Sequence, residues 1–410
     1  KSVDRRLSAG LAAISTHLIE QTLDQARPQF EAPVSSARHV TTKPDNGKTT
    51  LVIGGTGFIG RALVGALADG GYKVRVFSRG SGCGFERGDG RISVTTGSLK
   101  SEGDLLKAME GVDVVFHLAK ATEASWAGYL ENDVAVTRRI GEACLKAGVD
   151  RLIYTGTIDS YDASQPDRPI SEATPFDFDL PRRNLYARSK AACESVLKKL
   201  EREKKLPLVI VRPGIVIGKA GPLQHWGIAM WRGATACKLW GDGRNKMPFV
   251  LVDDIADGLV LAGEAEDVLG QSFNLIGDPM LSAGDYFSEI GKANKVTMRA
   301  KPTPIWTYYV IDVVKYWAKR LLAKRTDITR PSFRDWKSRA QLSPYKNDAA
   351  KSMLGWSPEV DRERFIQRGI VDADLFGVAA SSVGGEDSQI NNADMIPLEV
   401  TGRQQIKESA

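Results

Sequence analysis

The stretch TTLVIGGTGFIGRALVGAL, residues 49–67, decides the fold. Its apolar run ends in Gly54, and Gly57 and Gly60 follow at three-residue steps before an amphipathic segment. This order predicts a strand, a tight turn and a helix. The first glycine permits the turn, the second lets backbone amides approach a pyrophosphate, and the third lets the helix pack closely on the strand. The stretch therefore predicts a dinucleotide site at a helix N-terminus, although its spacing is GxxGxxG rather than GxGxxG.

Apolar runs alternate with helical patterns from Thr49 to about Gly277. The predicted strands cover residues 50–54, 73–78, 92–96, 113–118, 151–155, 208–212 and 272–276. This alternation predicts an α/β fold, a Rossmann-type doubly wound parallel sheet with helices on both faces. Ligands of such sheets bind beyond the carboxyl ends of the strands. The residues expected at that edge are Gly54, Ser78, Ala119, Thr157 and Pro213.

A second motif, NLYARSK at residues 184–190, places Tyr186 and Lys190 four residues apart. On a helix these side chains lie on the same face. The ammonium then favours the phenolate and makes the tyrosine a usable base near neutral pH. An isolated pair of this kind is common on solvated helix edges. After a glycine-rich nucleotide loop it indicates a catalytic base.

Further motifs follow the glycine loop in a fixed order between Lys48 and Asp374. They are GGTGFIG (54–60), VDVVFHLA (112–119), Asn132, RLIYTGTIDSY (151–161), YARSK (186–190), VRPGIVIG (211–218) and PFVLVDDIADGLVLA (248–262). With these motifs the chain resembles the extended short-chain dehydrogenase/reductases, the group that contains the NAD-dependent epimerases and dehydratases. The resemblance implies a smaller C-terminal lobe that binds substrate, and hydride transfer to or from a nicotinamide.

The resemblance also implies roles for single residues. Tyr186 is the general base, Lys190 lowers its pKa and binds the nicotinamide ribose, and Thr157 positions the reacting oxygen. A capping hydroxyl at a strand end is the alternative for Thr157, and Asn132 is expected to support the lysine indirectly. The predicted cofactor-binding residues are Gly54, Thr56, Gly57, Phe58, Ile59, Gly60, Ser78, Arg79, Leu118, Ala119, Tyr186, Lys190 and Pro213.

The end of the second predicted strand bears on the choice between NAD and NADP. An NAD site usually places an acidic residue there to hold the ribose, whereas an arginine accommodates a 2′-phosphate. The segment VRVFSRG, residues 74–80, has Ser78 and Arg79 and no acid, and Arg61 follows the last loop glycine. NADP is therefore favoured over NAD.

The reaction type depends on the residues after Thr157. Dehydratases of the similar family carry an Asp-Glu pair there, and this chain has Ile158 and Asp159. Since isoleucine transfers no proton, an epimerase or reductase of a sugar nucleotide or related compound is expected instead. A dehydrogenase or reductase of a lipophilic, sterol-like substrate is the first alternative. A non-catalytic NADP-binding sensor or assembly protein is the second, but such proteins typically lose the Tyr or the Lys.

The composition excludes some classes of partner and binding site. The 410 residues carry a formal net charge of +6 without a long basic tract, so nucleic acid is not an expected partner. Four scattered cysteines and four dispersed histidines predict no metal site. No signal peptide or membrane span is visible, which predicts a cytoplasmic protein. The resemblance implies a small-molecule substrate. The resemblance adds a possible homodimer.

The predicted organisation has three parts. Residues 1–48 form an N-terminal helix and linker that could end an upstream domain, 49–374 form the enzyme domain, and 375–410 form a flexible tail. The substrate lobe is expected mainly at 215–250 and 278–374. Its segment 304–325, PIWTYYVIDVVKYWAKRLLAKR, has an apolar stripe and basic residues. This pattern suits a core helix, a lid over a lipophilic substrate or an interfacial membrane contact.

Overall fold

The structure is a computed structural model that describes residues 43–80, 84–85, 90–165, 168–322 and 328–373, and the backbone of 375–379. The predicted N-terminal helix, most of its linker, and the predicted tail from residue 380 onward lie outside the described residues.

The strands confirm the predicted alternation. They are β1 (Thr49–Ile53), β2 (Lys73–Ser78), β3 (Ile92–Thr96), β4 (Val114–His117), β5 (Arg151–Thr155), β6 (Leu208–Pro213), β7 (Ile215–Ile217), β8 (Pro222–Gln224), β9 (Ala229–Trp231), β10 (Ala236–Trp240), β11 (Phe249–Leu251), β12 (Ser272–Leu275), β13 (Arg299–Thr303) and β14 (Leu375–Ala379). Seven of them form one sheet in the order β12-β6-β5-β4-β1-β2-β3, and each neighbouring pair is parallel. Each predicted strand agrees with an observed one to within one residue at either end.

Helices cover both faces of this sheet. The α-helices are α1 (Phe58–Asp69), α2 (Glu102–Met109), α3 (Trp126–Tyr129), α4 (Ala135–Ala147), α5 (Leu185–Lys204), α6 (Val252–Glu264), α7 (Ala283–Ala293), α8 (Ile305–Leu321), α9 (Phe333–Ser338), α10 (Asp348–Leu354) and α11 (Arg362–Ile366). A π-helical turn, Leu130–Val134, joins α3 to α4. Among the described helices, none has the length and apolarity that crossing a membrane requires.

The alternation of side chains along β1 shows how the two faces are built. Val52 packs in one core with α1 and α6, whereas Leu51 and Ile53 pack in a second core with α2, α4 and α5. Successive strand residues point to opposite faces, and both faces are covered. This is why the strands of the sheet are nearly continuous apolar runs in the sequence.

A smaller lobe follows the sheet. β9, β10 and β13 form a three-stranded sheet, and β7 pairs in parallel with β11. The core of the lobe includes Leu239, Phe249, Tyr286 and Phe365, which come from β10, β11, α7 and α11. It lies within the residue ranges expected for a substrate lobe.

The C-terminal boundary differs from the prediction at one point. Residues 375–379 were expected to begin a flexible tail, but they form β14, which pairs in parallel with β8. The prediction is wrong for these five residues. The partner strand lies about 150 residues earlier in the chain, so a local pattern gives no sign of the pairing.

Candidate active site

The glycine loop brings the ends of β1 and β4 together. Gly54 has a φ of +92°, and a Cβ there would lie 2.7 Å from the backbone nitrogen of Ala119. The backbone N–H groups of Leu118 and Ala119 both donate to the carbonyl of Ile53, at 2.8 and 3.1 Å. A Cβ at Gly60 would lie 2.2 Å from the Gly54 carbonyl oxygen. The loop can therefore close only with glycine at both positions.

The start of α1 suits an anion. Gly57 is its N-cap and provides no side-chain hydrogen bond, and the first turn carries no acidic residue. The amides of such a first turn have no intrahelical acceptors, and the helix dipole is positive there. These features fit the pyrophosphate of a dinucleotide. The ring of Phe58 lies against the substrate lobe, because a Cβ at Gly221 would meet that ring at 2.4 Å.

The remaining predicted cofactor residues lie at the same edge of the sheet. Ser78 and Pro213 end β2 and β6, and Arg79 is exposed just beyond β2. The Arg61 guanidinium donates to the carbonyl of Thr56 at 3.2 Å and lies 5.0 Å from the centre of the Phe85 ring. Two guanidinium groups thus belong to the segments that flank the nucleotide loop.

Tyr186 lies in the first turn of α5. The side chain of Asn184 caps this helix by accepting a hydrogen bond from the amide of Ala187 at 2.9 Å. The hydroxyl of Thr157, which is buried after β5, lies close enough to the Tyr186 phenol to favour a lower pKa for it. The same hydroxyl accepts from the amide of Asp159 at 3.2 Å, so Thr157 caps the turn that follows β5.

The pKa of Tyr186 differs from the prediction. Burial of the phenol raises its pKa, the nearby hydroxyl of Thr157 opposes that rise, and the charges of Asp159 and Asp133 add to it. The lowered pKa expected from Lys190 is therefore not found in this arrangement. Lys190 is buried and donates to the carbonyl of Thr155 at 3.0 Å. Tyr186 is consequently a protonated phenol at neutral pH, which is the form that donates a proton.

Lys120 is a site residue that the sequence analysis missed. Its ammonium lies 5.3 Å from the centre of the Tyr186 ring. Partial burial of this still accessible group, together with the charge of Lys190, lowers the pKa of Lys120 to about 8. Its position directly after the VDVVFHLA motif, at the end of β4, was the available signal.

His225 reaches the same place from the lobe. Burial and the nearby charge of Lys120 lower the pKa of His225 to about 4, so its imidazole is neutral at pH 7. Its Nδ1 accepts a hydrogen bond from the amide of Gly227 at 3.0 Å. The lobe therefore brings a neutral imidazole within the electrostatic influence of Lys120.

A buried acid holds α5 in position. Asp133 accepts hydrogen bonds from the Ser189 hydroxyl at 2.6 Å and from the amide of Ala121 at 3.2 Å. Asn132 instead donates to Glu123 at 2.7 Å. The contact to the segment that carries Lys190 is thus made by Asp133, the residue next to the predicted Asn132.

The two residues after Thr157 have structural roles. Ile158 packs in an apolar cluster with Tyr161, Ile170 and Ile276. Asp159 accepts from the guanidinium of Arg183 at 3.0 Å and is bound in an ion pair. These contacts agree with the expectation that this position supplies no acid for elimination.

Arg183 ties the loop before α5 to the lobe. Its side chain is 1% exposed and pairs with Asp159, with Asp177 at 3.2 Å and with Asp335 of α9 at 2.9 Å. These charges hold its pKa above the usual range despite the opposing effect of burial. The network fixes the start of α5, and hence Tyr186, relative to the lobe.

Comparisons with known proteins give a consistent result. A model of the NAD dependent epimerase/dehydratase family matches residues 50–275. The chain is 26% identical over 348 residues to "Sterol-4-alpha-carboxylate 3-dehydrogenase, decarboxylating" of Mus musculus, which covers 80% of this chain and 92% of that protein. It is 31% identical over 222 residues to "2-alkyl-3-oxoalkanoate reductase" of Stenotrophomonas maltophilia (strain K279a), covering 52% of this chain and 65% of that protein.

Among solved structures, the chain is similar to that of gox2253. The TM-score is 0.66 at 25% identity, and the match covers 79% of this chain and 97% of that one. The similarity extends over the sheet and the lobe together, because it includes nearly the whole of the other chain.

Proposed function

The chain belongs to the NAD-dependent epimerase/dehydratase family and is an NAD(P)-dependent hydride-transfer enzyme, and within this family we propose that it interconverts a secondary alcohol and a ketone on a lipophilic carboxylate substrate. The carboxylate would be attached to the carbon next to the one that reacts. The observation that carries the proposal is the ammonium of Lys120, 5.3 Å from the centre of the Tyr186 ring.

The names of two relatives support this substrate class. In a sterol-4-alpha-carboxylate 3-dehydrogenase the oxygen is on carbon 3 and the carboxylate on carbon 4. In a 2-alkyl-3-oxoalkanoate the oxygen is on carbon 3 and the carboxylate is bound to carbon 2. Both compounds thus place an anion one carbon away from the reacting carbon. An ammonium beside the proton donor is suited to pair with that anion.

An exposed indole beside His225 supports a lipophilic substrate body. Trp226, next to His225 in the chain, is 39% exposed and packs edge-on against the buried Trp240 at 5.1 Å. Trp240 in turn contacts Tyr308 at 4.9 Å, so Trp226 is supported by a packed aromatic cluster. An exposed aromatic side chain held in this way is suited to bind apolar groups.

Each residue has a defined part in the mechanism. The loop at Gly54, Gly57 and Gly60 would hold a dinucleotide, whose nicotinamide would supply the hydride acceptor or donor. In the reduction direction Oη of Tyr186 donates its proton to the substrate oxygen, and in the oxidation direction it accepts one. The hydroxyl of Thr157 holds the same oxygen in place.

The raised pKa of Tyr186 agrees with proton donation. In this proposal Lys190, anchored on Thr155, binds the nicotinamide ribose, while Lys120 pairs with the carboxylate of the substrate. The two lysines therefore have separate tasks in this proposal.

A matched pair of substrates tests the proposal. Long-chain 2-alkyl-3-hydroxy acids and their methyl esters are offered with NAD and NADP, and reduced cofactor is followed by absorbance. We expect turnover of the acid, much weaker turnover of the ester, and none with Tyr186→Phe. UDP-sugars form the third arm, because the family also contains epimerases. Epimerisation of a UDP-sugar, without net change in the cofactor and without turnover of the acids, would contradict the proposal.

A preference for NADP is also proposed, on Arg79 and Arg61. Both carry positive charge near the site that the ribose of the cofactor would occupy, and the end of β2 has no acidic residue. This composition supports binding of a 2′-phosphate.

A further inference from the structure

The helix α8 exposes an apolar face. Among its residues, all of which the structure describes, Tyr308 is the buried one. The exposed residues of the helix and its C-cap are Trp306, Val310, Ile311, Val314, Trp317, Ala318, Arg320, Leu321 and Leu322, and Arg320 is the one charged residue among them. Of the three interpretations of this segment, the core helix is therefore wrong.

The side of α8 that faces the protein is held by aromatic packing and two hydrogen bonds. Tyr308 stacks on Trp336 at 5.4 Å, and Tyr309 packs edge-on against Phe333 at 5.5 Å. Tyr308 donates its hydroxyl proton to the carbonyl of Leu239 at 3.3 Å, and Asp312 accepts from the indole of Trp336 at 3.1 Å. Apolar residues thus project outward in addition to those that pack inward, whereas a helix on the surface of a globular protein usually presents a polar outer face.

The outward residues form one continuous stripe. Trp306, Val310, Val314, Trp317 and Leu321 follow each other at steps of four, four, three and four residues, which places them on one helix face. Their side chains are between 47% and 68% exposed. An apolar patch of this size on a protein surface is typical of an interaction site.

Positive charge is concentrated in the same segment. From Arg299 to Arg325 there are seven basic residues and one acidic residue, Asp312, a surplus equal to the formal net charge of +6 of the whole chain. The remainder of the chain is therefore neutral in formal charge. An apolar helix face within a basic segment is complementary to a surface with an apolar interior and an anionic outer layer, because the apolar side chains insert while the basic residues pair with the anions.

We propose that the outward face of α8 is a peripheral membrane-binding surface whose partner is a lipid bilayer with anionic headgroups. The helix would lie in the plane of the interface, with Trp306 and Trp317 at the level of the headgroups. A second copy of this chain is the less suitable partner, because it would bring two basic segments together.

The position of α8 connects the bilayer with the candidate active site. Tyr308 contacts Trp240 at 4.9 Å, and Trp240 contacts Trp226 at 5.1 Å. Trp226 adjoins His225, which lies near Lys120. These packed rings join α8 to the segment that carries His225. Membrane binding itself does not depend on the reaction proposed above.

Vesicle flotation of the full chain tests the surface. Vesicles of phosphatidylcholine and phosphatidylserine in equal parts are compared with vesicles of phosphatidylcholine alone, without substrate. We expect binding to the mixed vesicles, weaker binding at high salt, and little binding to the neutral ones. The double variant Val314→Asp/Leu321→Asp should bind at least about tenfold more weakly, because burying one such side chain alone contributes about a factor of ten.

The control changes equally exposed apolar residues elsewhere. Val314 and Leu321 are 62% and 68% exposed, and Leu342 and Val360 are 62% and 65% exposed. Leu342→Asp/Val360→Asp should leave vesicle binding unchanged, and circular dichroism verifies that both variants fold. An equal loss in the control would overturn the proposal. Failure of the parent chain to float with either kind of vesicle would also overturn the proposal. If sedimentation then showed a dimer that the α8 variant dissociates, the outward face of α8 would be a dimer interface instead.

Discussion

The ammonium of Lys120 lies 5.3 Å from the centre of the Tyr186 ring, whereas the ammonium of Lys190 donates to the carbonyl of Thr155 at 3.0 Å. The cation that the sequence pairs with the tyrosine is thus anchored on β5. A second cation, from the end of β4, stands beside the phenol. The proposed division of tasks between these two lysines leads to the first prediction.

With a carboxylate substrate, kcat/KM should fall as the pH rises through about 8. The pKa of Lys120 is lowered to about 8, so its ammonium is present below that pH and is lost above it. The pH profile of kcat/KM reports the free enzyme. Lys120→Arg should keep the rate high at alkaline pH, and Lys120→Met should raise KM below about pH 8, where the parent protein carries the ammonium. A profile for the methyl ester with the same decline would show that another group titrates.

Replacing Tyr186 by Phe should lower kcat by about 10²–10⁴-fold, because the proton donor is lost while the ring remains. The dissociation constant of the cofactor, measured by quenching of protein fluorescence, should change little. Thr157→Val should lower kcat less, since it removes a positioning hydroxyl and leaves the phenol in place. Full activity of Tyr186→Phe would exclude the proposed role.

Two glycines of α1 should respond in opposite ways to alanine. A Cβ at Gly60 would lie 2.2 Å from the carbonyl oxygen of Gly54, whereas a Cβ at Gly65 meets nothing within 4 Å. Gly60→Ala should therefore weaken cofactor binding and lower the free energy of unfolding. Gly65→Ala should raise that free energy by about 0.5–1 kcal/mol, because alanine loses less backbone entropy in a helix. Urea titrations and calorimetric binding measure both effects, and equal results for the two variants would contradict the loop geometry.

Arg183→Met should destabilise the fold by about 3–5 kcal/mol, because it leaves buried carboxylates without their partner. Arg183 is 1% exposed and pairs with three aspartates. Its neighbour Arg182 is a matched control, since its side chain is 53% exposed and its pair with Asp179 is 3.5 Å long. Arg182→Met should cost about 0–1 kcal/mol. Urea unfolding at pH 7 distinguishes the two, and similar losses would argue against a buried network.

Arg79→Ala should weaken NADP binding by about tenfold or more and leave NAD binding unchanged, because a lost hydrogen bond to a charged group costs about 1.5–3 kcal/mol. Arg61→Ala provides a second measurement at the other flank of the loop. Titration calorimetry with both cofactors gives the dissociation constants. Equal affinity for NAD and NADP in the parent protein would remove the argument for NADP.

The sheet was predictable because its signals are local. Apolar runs such as Leu51–Ile53 and the glycines that follow determine strand, turn and helix within a few residues. The landmark motifs then predict Thr157 beside Tyr186, and in the structure Thr157 is near enough to influence the pKa of the phenol. The charge environment of that pair was not predictable, because it depends on burial and on groups from distant segments.

The sequence also does not predict three other features, namely the strand β14, the Arg183 network and the outward face of α8. Their partners come from remote parts of the chain, as with Arg183 and Asp335, which are 152 residues apart. The periodicity of α8 was visible, but periodicity identifies an apolar face without showing which way it points.

By itself, therefore, the sequence determined the doubly wound sheet, the dinucleotide loop and the order of the site residues, because neighbouring side chains and glycines specify strands, turns and helix starts. Only the tertiary structure decided that Lys120 lies beside Tyr186 and acts on His225, that burial keeps this phenol protonated, and that α8 turns apolar residues outward. Proximity across the fold and the loss of water around a group are properties of the packed chain, and no segment contains them alone.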